Sequence, residues 1–190
     1  WSIDGLEFYG QMNFLKAGLT GSDVVNTVSE TYAKEILTPQ YGSGLDGVLA
    51  CLKNQHRLFG IVNGIDTDVY NPETDSHIPA RFSADDASGK LICKEALQRE
   101  CCLAPRRDVP LIGMVSRLAE QKGLDLIEAV IEPIMRETGA QFIALGTGDE
   151  HFRDYLMSLE RRMPAQMKAL IRFDESMAHR IYAGSDIFLM

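Results

Sequence analysis

From residue 109 onward the sequence predicts an α/β fold, a parallel sheet with flanking helices. Three observations predict it. Short apolar runs of strand length alternate with longer segments of helical period. Glycine, proline or a capping side chain stands where each helical segment should begin or end. The strand-like runs are separated by stretches long enough for a crossover helix, which parallel neighbours need and hairpins do not.

Taken in order, "VPLIGMV" (109–115) reads as a buried strand. Leu124, Ile127, Val130, Ile131 and Ile134 follow at helical spacing, which puts them on one face of a helix that Gly139 ends. "AQFIAL" (140–145) is the second strand, and after the turn "GTGD" a helix carries Phe152, Tyr155, Leu156 and Leu159 on one side, with Pro164 beyond it. "KALIRF" (168–173) reads as a third strand. Asp174 is placed to cap a helix "ESMAHRIYA", Gly184 stops it, and "DIFLM" (186–190) is the fourth strand.

The first 62 residues are less regular. They predict a helix around "QMNFLKAG", a strand at "DVVNTV", a Ser29-capped helix "ETYAKEI", a helix at "DGVLACLKNQ" and a strand at "LFGIV". These suit the closing pieces of another α/β unit. The segment "NGIDTDVYNPETDSHIPARFSADD" is rich in Asp, Pro, Asn and Ser, the composition of a linker or long surface loop. The boundary is therefore expected near residue 62, dividing the chain into 1–62 and 63–190.

With 190 residues and 45% hydrophobic content the chain can bury a real core, and a net charge of -8 argues against nucleic acid as the main partner. Any anion site must be local. No run reaches the roughly 18 apolar residues of a membrane span, and no basic, apolar leader opens the sequence. The four cysteines include no C-x-x-C pair and the four histidines do not cluster, so no metal site is expected and the thiols read as reduced, in a cytosol-like setting. The lack of such a span and leader predicts a soluble, unexported protein, and an opening Trp1 and a closing apolar run predict a fragment of a longer one.

In open α/β sheets ligands bind beyond the carboxyl ends of the strands. Arg117 and Lys122, in "VSRLAEQKGLDL", fall in the first such loop, just before a helix whose N-terminal N–H groups add partial positive charge. That is a workable cradle for a diphosphate, although two solvated loop cations would look the same. Gly146-Thr147-Gly148-Asp149 follows the second strand, where glycines let a ligand approach the backbone or simply serve the turn. It fails as a dinucleotide fingerprint, because His151 stands where the third glycine belongs. Asn63-Gly64 reads first as turn chemistry, and Phe173 first as core.

Together "GLEFYGQMNFLKAGL", "VNTVSETYAKEI", "NGIDTDVYNP", "VSRLAEQKGLDL", "LGTGD" and "MAHRIYAGSDIFLM" resemble the bacterial glycogen synthase and plant starch synthase family, glycosyltransferase family 5, across essentially the whole chain and in the right order. The resemblance implies the two-domain glycosyltransferase B fold, with residues 1–62 closing the N-terminal Rossmann-like domain and 63–190 forming an incomplete C-terminal, nucleotide-sugar-binding one. It implies retaining transfer of glucose from ADP-glucose to the non-reducing end of an α-1,4-glucan. No cofactor is implied. By the same resemblance Arg117 and Lys122 hold the distal part of the diphosphate and act in catalysis, Asn63 faces the sugar-phosphate, and Thr147 and Gly148 lie beside the nucleotide. Phe173 stands where an aromatic ring, often tyrosine, lies near the adenine. The family's Lys-x-Gly-Gly-Leu loop is expected before Trp1 and its glutamate motif after Met190.

The chemistry explains the cations. Breaking the glucose–ADP bond puts negative charge on the leaving diphosphate, and Arg and Lys neutralise it as it develops. The implied partners are ADP-glucose or ADP and a glucan, and the implied setting is bacterial cytoplasm or a plant or algal plastid. Two other readings use the same residues: a sucrose-synthase-like or other retaining glucosyltransferase, and a nucleotide-binding module without catalysis. A purely structural α/β piece is a third.

Overall fold

Two short strands, β1 (Glu7–Phe8) and β2 (Gln11–Met12), pair antiparallel across Tyr9 and Gly10, whose φ angles of 50° and 82° give the twist that two-residue hairpins favour. The computed structural model describes Ser2 and residues 5–190, which divide into two units, Trp1–Ile65 and Asp66–Met190. In the first, the helix expected around 11–18 begins later, as α1 (Phe14–Gly21), because the Asn13 side chain accepts from the Lys16 amide at 2.9 Å and caps it there. Ser29 accepts from the Tyr32 amide ahead of α2 (Tyr32–Glu35), as its sequence position suggests. Strands β3 (Val25–Thr27) and β4 (Leu58–Gly60) run parallel, joined through α2 and α3 (Asp46–Asn54). Ile36, Leu45, Leu49, Leu52 and Leu58 form this unit's core.

The second unit opens with residues 66–87, which form no helix or strand but are not a free tether. Ile78 is buried with Cys93 and Ala183. Helix α4 (Ser88–Glu100), absent from the sequence reading, follows. Its apolar period is masked, because Leu91 and Ile92 point to solvent while Lys94 and Gln98 lie in the buried face. Both are satisfied there: the Lys94 ammonium pairs with Asp186 at 2.6 Å and donates to the Val109 carbonyl at 2.7 Å, and Gln98 donates to the Gln141 side chain at 2.7 Å.

The alternating pattern from residue 109 forms as predicted. β5 (Leu111–Val115), α5 (Leu124–Thr138), β6 (Gln141–Leu145), α6 (Glu150–Arg162), β7 (Met167–Leu170), α7 (Glu175–Gly184) and β8 (Ile187–Leu189) give a four-stranded, all-parallel sheet in the order β7-β6-β5-β8. Side-chain alternation splits the core between the two faces. Ile112, Met114, Phe142, Ala144 and Met167 pack against α5 and α6. Leu111, Ile143, Leu145 and Leu170 pack against α4 and α7. Cys101 behaves as part of this apolar core, with burial, then Glu100, pushing its thiol up to about 12.

Two expectations shift. The buried stripe of α5 is Leu124, Ile131 and Met135, while Val130 and Ile134 form an outer row with Leu126, at 49%, 39% and 68% exposure. The third strand ends at Leu170 rather than 173, because residue 171 onward leaves the ladder to reach the Asp174 cap of α7.

Candidate functional site

The carboxyl ends of β5, β6 and β7 deliver three loops to one place. The first two are stitched together by backbone: the Leu118 amide donates to the Thr147 carbonyl at 2.9 Å, the Asp149 amide donates to the Leu118 carbonyl at 2.7 Å, and Leu118 and Gly148 form a parallel bridge. The glycines of the turn serve this contact. A methyl at Gly146 would lie 1.9 Å from the Ser116 carbonyl oxygen, and one at Gly148 would lie 2.2 Å from that of Leu118. The partner requiring glycine is thus the neighbouring loop itself.

Beyond the loops lies a cavity of about 340 Å³, whose wall includes Ser116, Arg117, Thr147, Phe173 and, from the start of α7, Asp174 and Glu175. Phe173 is 89% exposed, so the expectation of a core residue fails: the ring stands in solvent at the cavity rim. Asp174 caps α7 by accepting from the Met177 amide at 2.9 Å, and that bond, followed by the Arg172 guanidinium, holds its carboxyl below the usual range. Arg172 is thereby neutralised.

Arg117 is not. Most cations of this unit are in ion pairs, among them Arg99, Arg107, Arg136, Arg153, Arg162, Lys168, Arg172 and Arg180. Among the described residues Arg117 and Lys122 have no such partner, and both side chains are exposed. Lys122 ends the 3-10 turn Glu120–Lys122, and Gly123, at φ 72°, then turns the chain into α5. Among the described residues no side chain caps that helix, whose first amides follow Lys122 closely in the chain.

The predicted residues therefore separate. Arg117, Thr147 and Phe173 share the cavity wall; Gly148 lies in the stitched turn beside Thr147; Lys122 lies further along the Arg117 loop. Asn63 is an exposed residue of the first unit, in a stretch without regular structure. Sequence reasoning missed Tyr70 and Tyr182, which also line the cavity. Tyr70 stands in a segment whose composition reads as linker, and Tyr182 in the helix "ESMAHRIYA", where no spacing sets it apart as a site residue. The first unit holds a larger cavity, about 690 Å³, but its cations are already engaged: Lys16 donates to the Glu7 carbonyl at 2.6 Å, and Arg57 donates to the Ser22 and Asp23 carbonyls. Among the described residues no group of three or more His, Cys, Asp or Glu is placed to hold a metal ion, and no helix is long and apolar enough to cross a membrane.

Comparison with known proteins finds relatives along the whole chain. Residues 1–51 match the family model described as the starch synthase catalytic domain. Along all of its length the chain is 52% identical to a glycogen synthase of Desulforamulus reducens and 48% identical to one of Pseudothermotoga lettingae, covering 39% and 38% of those proteins. The catalytic domain of starch synthase IV from Arabidopsis thaliana, solved bound to ADP and acarbose, superposes with a TM-score of 0.88 at 34% identity, over 98% of this chain and 39% of that one. The chain thus spans about two fifths of the proteins it matches. The resemblance carried by the six motifs holds from end to end, and the parallel α/β architecture is that of the starch synthase catalytic domain.

Proposed function

We propose, on the premise that this chain is akin to the glycogen and starch synthases over its whole length, that it supplies the donor-nucleotide half of a retaining glucosyltransferase taking glucose from ADP-glucose to an α-1,4-glucan. In this reading residues 1–62 are the closing part of an N-terminal Rossmann-like domain and 63–190 are an incomplete C-terminal nucleotide-sugar-binding domain of a glycosyltransferase B enzyme. The observation that carries it is Arg117, an unneutralised guanidinium in the wall of a cavity at the carboxyl end of a parallel sheet. The solved relative bound to ADP supports the choice of ligand.

Arg117 and Lys122 take the diphosphate oxygens. Their hydrogen bonds strengthen as the glucose–phosphate bond breaks and charge gathers on the leaving ADP, so they stabilise the transition state more than the bound substrate. A charge-assisted bond of this kind contributes roughly 1.5–3 kcal/mol, or about one to two decades in rate. Thr147 and Gly148 bound the nucleotide, the Phe173 ring offers its face to the adenine without a hydroxyl to hydrogen-bond it, and Asn63 takes the sugar-phosphate side. The cations do the electrostatic work, so the reaction is assigned neither metal nor cofactor. A cytoplasmic or plastid setting belongs to the same proposal.

The test is transfer of radiolabelled glucose from ADP-glucose to glycogen by a protein carrying this sequence within the full length of its relatives, with and without Arg117→Ala. Loss of one to two decades supports the assignment, roughly as the bond energy dictates. An unimpaired Arg117→Ala enzyme overturns it. Competition by ADP against UDP separates this donor from that of a sucrose-synthase-like enzyme. ADP binding without any transfer would favour the non-catalytic module.

A further inference from the structure

The cavity has an aromatic wall that neither the sequence motifs nor the phosphate chemistry assigns. Tyr70 lines it from the 66–87 segment, and Tyr182 from α7. The Tyr70 ring is about half exposed, yet one face is fixed, because it stacks on the His179 imidazole with centroids 4.9 Å apart and planes 10° from parallel. Tyr182 meets Tyr70 edge-on at 6.2 Å. These two rings thus hold the tyrosine in one orientation beside the cavity.

His179 is buried and its position is fixed in turn. Its Nδ1 lies 2.7 Å from Asp75 Oδ2, while Asp75 Oδ1 accepts the His77 amide at 2.7 Å. Asp75 belongs to the same irregular segment as Tyr70, tied between them by the Asp75 amide donating to the Asn71 carbonyl at 2.8 Å. The pair therefore clamps the segment to α7 one short turn from the tyrosine. It does so at a cost, since His179 Nε2 is buried without a hydrogen-bond partner among the described residues. A leucine would fill the same space with no orphaned atom. What the imidazole adds is the bond to Asp75 and a flat surface beneath Tyr70.

We infer that Tyr70 is a specificity-determining wall for the nucleoside part of the bound nucleotide, and that the buried His179–Asp75 pair is what positions it. The inference rests on the nucleotide reading above and extends it to residues that reading leaves out. An aromatic face held from behind can stack a base or pack on its ribose without first losing its own rotamer freedom.

Calorimetric titration with ADP and with inorganic pyrophosphate, which has no nucleoside, tests it on the chain, Tyr70→Ala, Tyr70→Phe and His179→Ala. Tyr70→Ala is expected to weaken ADP about tenfold or more, as loss of one stacking surface does, and to change pyrophosphate by less than about twofold. Tyr70→Phe keeps the face and should restore ADP affinity. His179→Ala should also weaken ADP, and the double variant Tyr70→Ala/His179→Ala should bind no more weakly than Tyr70→Ala, because the histidine acts through the tyrosine. Should His179→Ala fail to fold, the half-exposed Tyr70 variants decide the matter alone. Unchanged ADP binding in Tyr70→Ala, with the wild-type chain binding ADP, overturns the inference and leaves the nucleotide reading standing. Equal losses for ADP and pyrophosphate overturn the nucleoside contact. No ADP binding by the wild-type chain overturns both.

Discussion

Gly146→Ala should uncouple the three loops that form the cavity. The added methyl would sit 1.9 Å from the Ser116 carbonyl oxygen, where 3.0 Å is the closest approach that real side chains show, so the loops must part by at least about 1.1 Å. The room has to come from the hydrogen bonds at that point: the Ser116 amide to the Leu145 carbonyl, and the Gly146 amide to the Leu170 carbonyl, each now 3.1 Å. Stretched by that amount, neither remains a hydrogen bond. Overpacking costs about 1–3 kcal/mol and each lost bond about 0.5–1.5 kcal/mol, which together give a destabilisation of about 2–6 kcal/mol. Denaturant unfolding followed by circular dichroism measures it. Gly64→Ala, whose methyl meets nothing within 4 Å, is the control and should move stability by less than about 0.5 kcal/mol. ADP affinity should fall as well, because Arg117 follows Ser116 directly. A Gly146→Ala protein unfolding at the wild-type denaturant concentration would refute the claim that the turn is glycine because the neighbouring loop occupies the space.

Three further expectations follow from the same geometry. Lys122→Ala should weaken ADP by about 1.5–3 kcal/mol and AMP by less in a calorimetric comparison, since the distal phosphate is the group proposed to meet the ammonium; equal losses would return Lys122 to a solvated cation. Phe173→Ala, at a ring 89% exposed, should leave stability within about 0.5 kcal/mol while lowering ADP affinity, and a large drop in melting temperature would show that the ring packs after all. Asp75 has its carboxyl held low: burial works against ionisation, but the His77 amide and then His179 outweigh it. The ionised form therefore stabilises the fold above the ordinary value of 3.8 and loses that contribution as pH falls through the lower folded value. The stability gap between wild type and Asp75→Asn should narrow as the pH falls below about pH 4; a gap that persists in stronger acid would contradict the assignment.

The elements that the sequence made legible are those whose burial follows a simple period. β5 and β6 are short apolar runs buried on both faces, and α6 carries its buried Phe152, Leu156 and Leu159 at helical spacing. α4 escaped because the residues it buries include a lysine and a glutamine, whose partners at Asp186 and Gln141 are invisible until the chain is folded. Val130 and Ile134 misled for the opposite reason, being apolar and correctly spaced yet outside the buried stripe. For the site, the loop after β5 could be read because its cations stand at a strand end. Tyr70 could not, since nothing local distinguishes a tyrosine in an Asp- and Pro-rich stretch from one in a true linker. Its place comes from His179, more than a hundred positions away.

The strand order also bears on how this unit assembles as it is made. β5 sits between β6 and β8, and Ile112 pairs with Ile187, so one side of this buried strand waits for β8 to emerge. Until then β5, β6 and β7 present an open apolar edge, with the Asp186 carboxylate that takes the Leu111 amide and the Lys94 ammonium not yet in reach. A nascent chain halted in α7 would expose that edge to any other strand nearby, which makes the interval before β8 appears the stage at which a chaperone has most to protect.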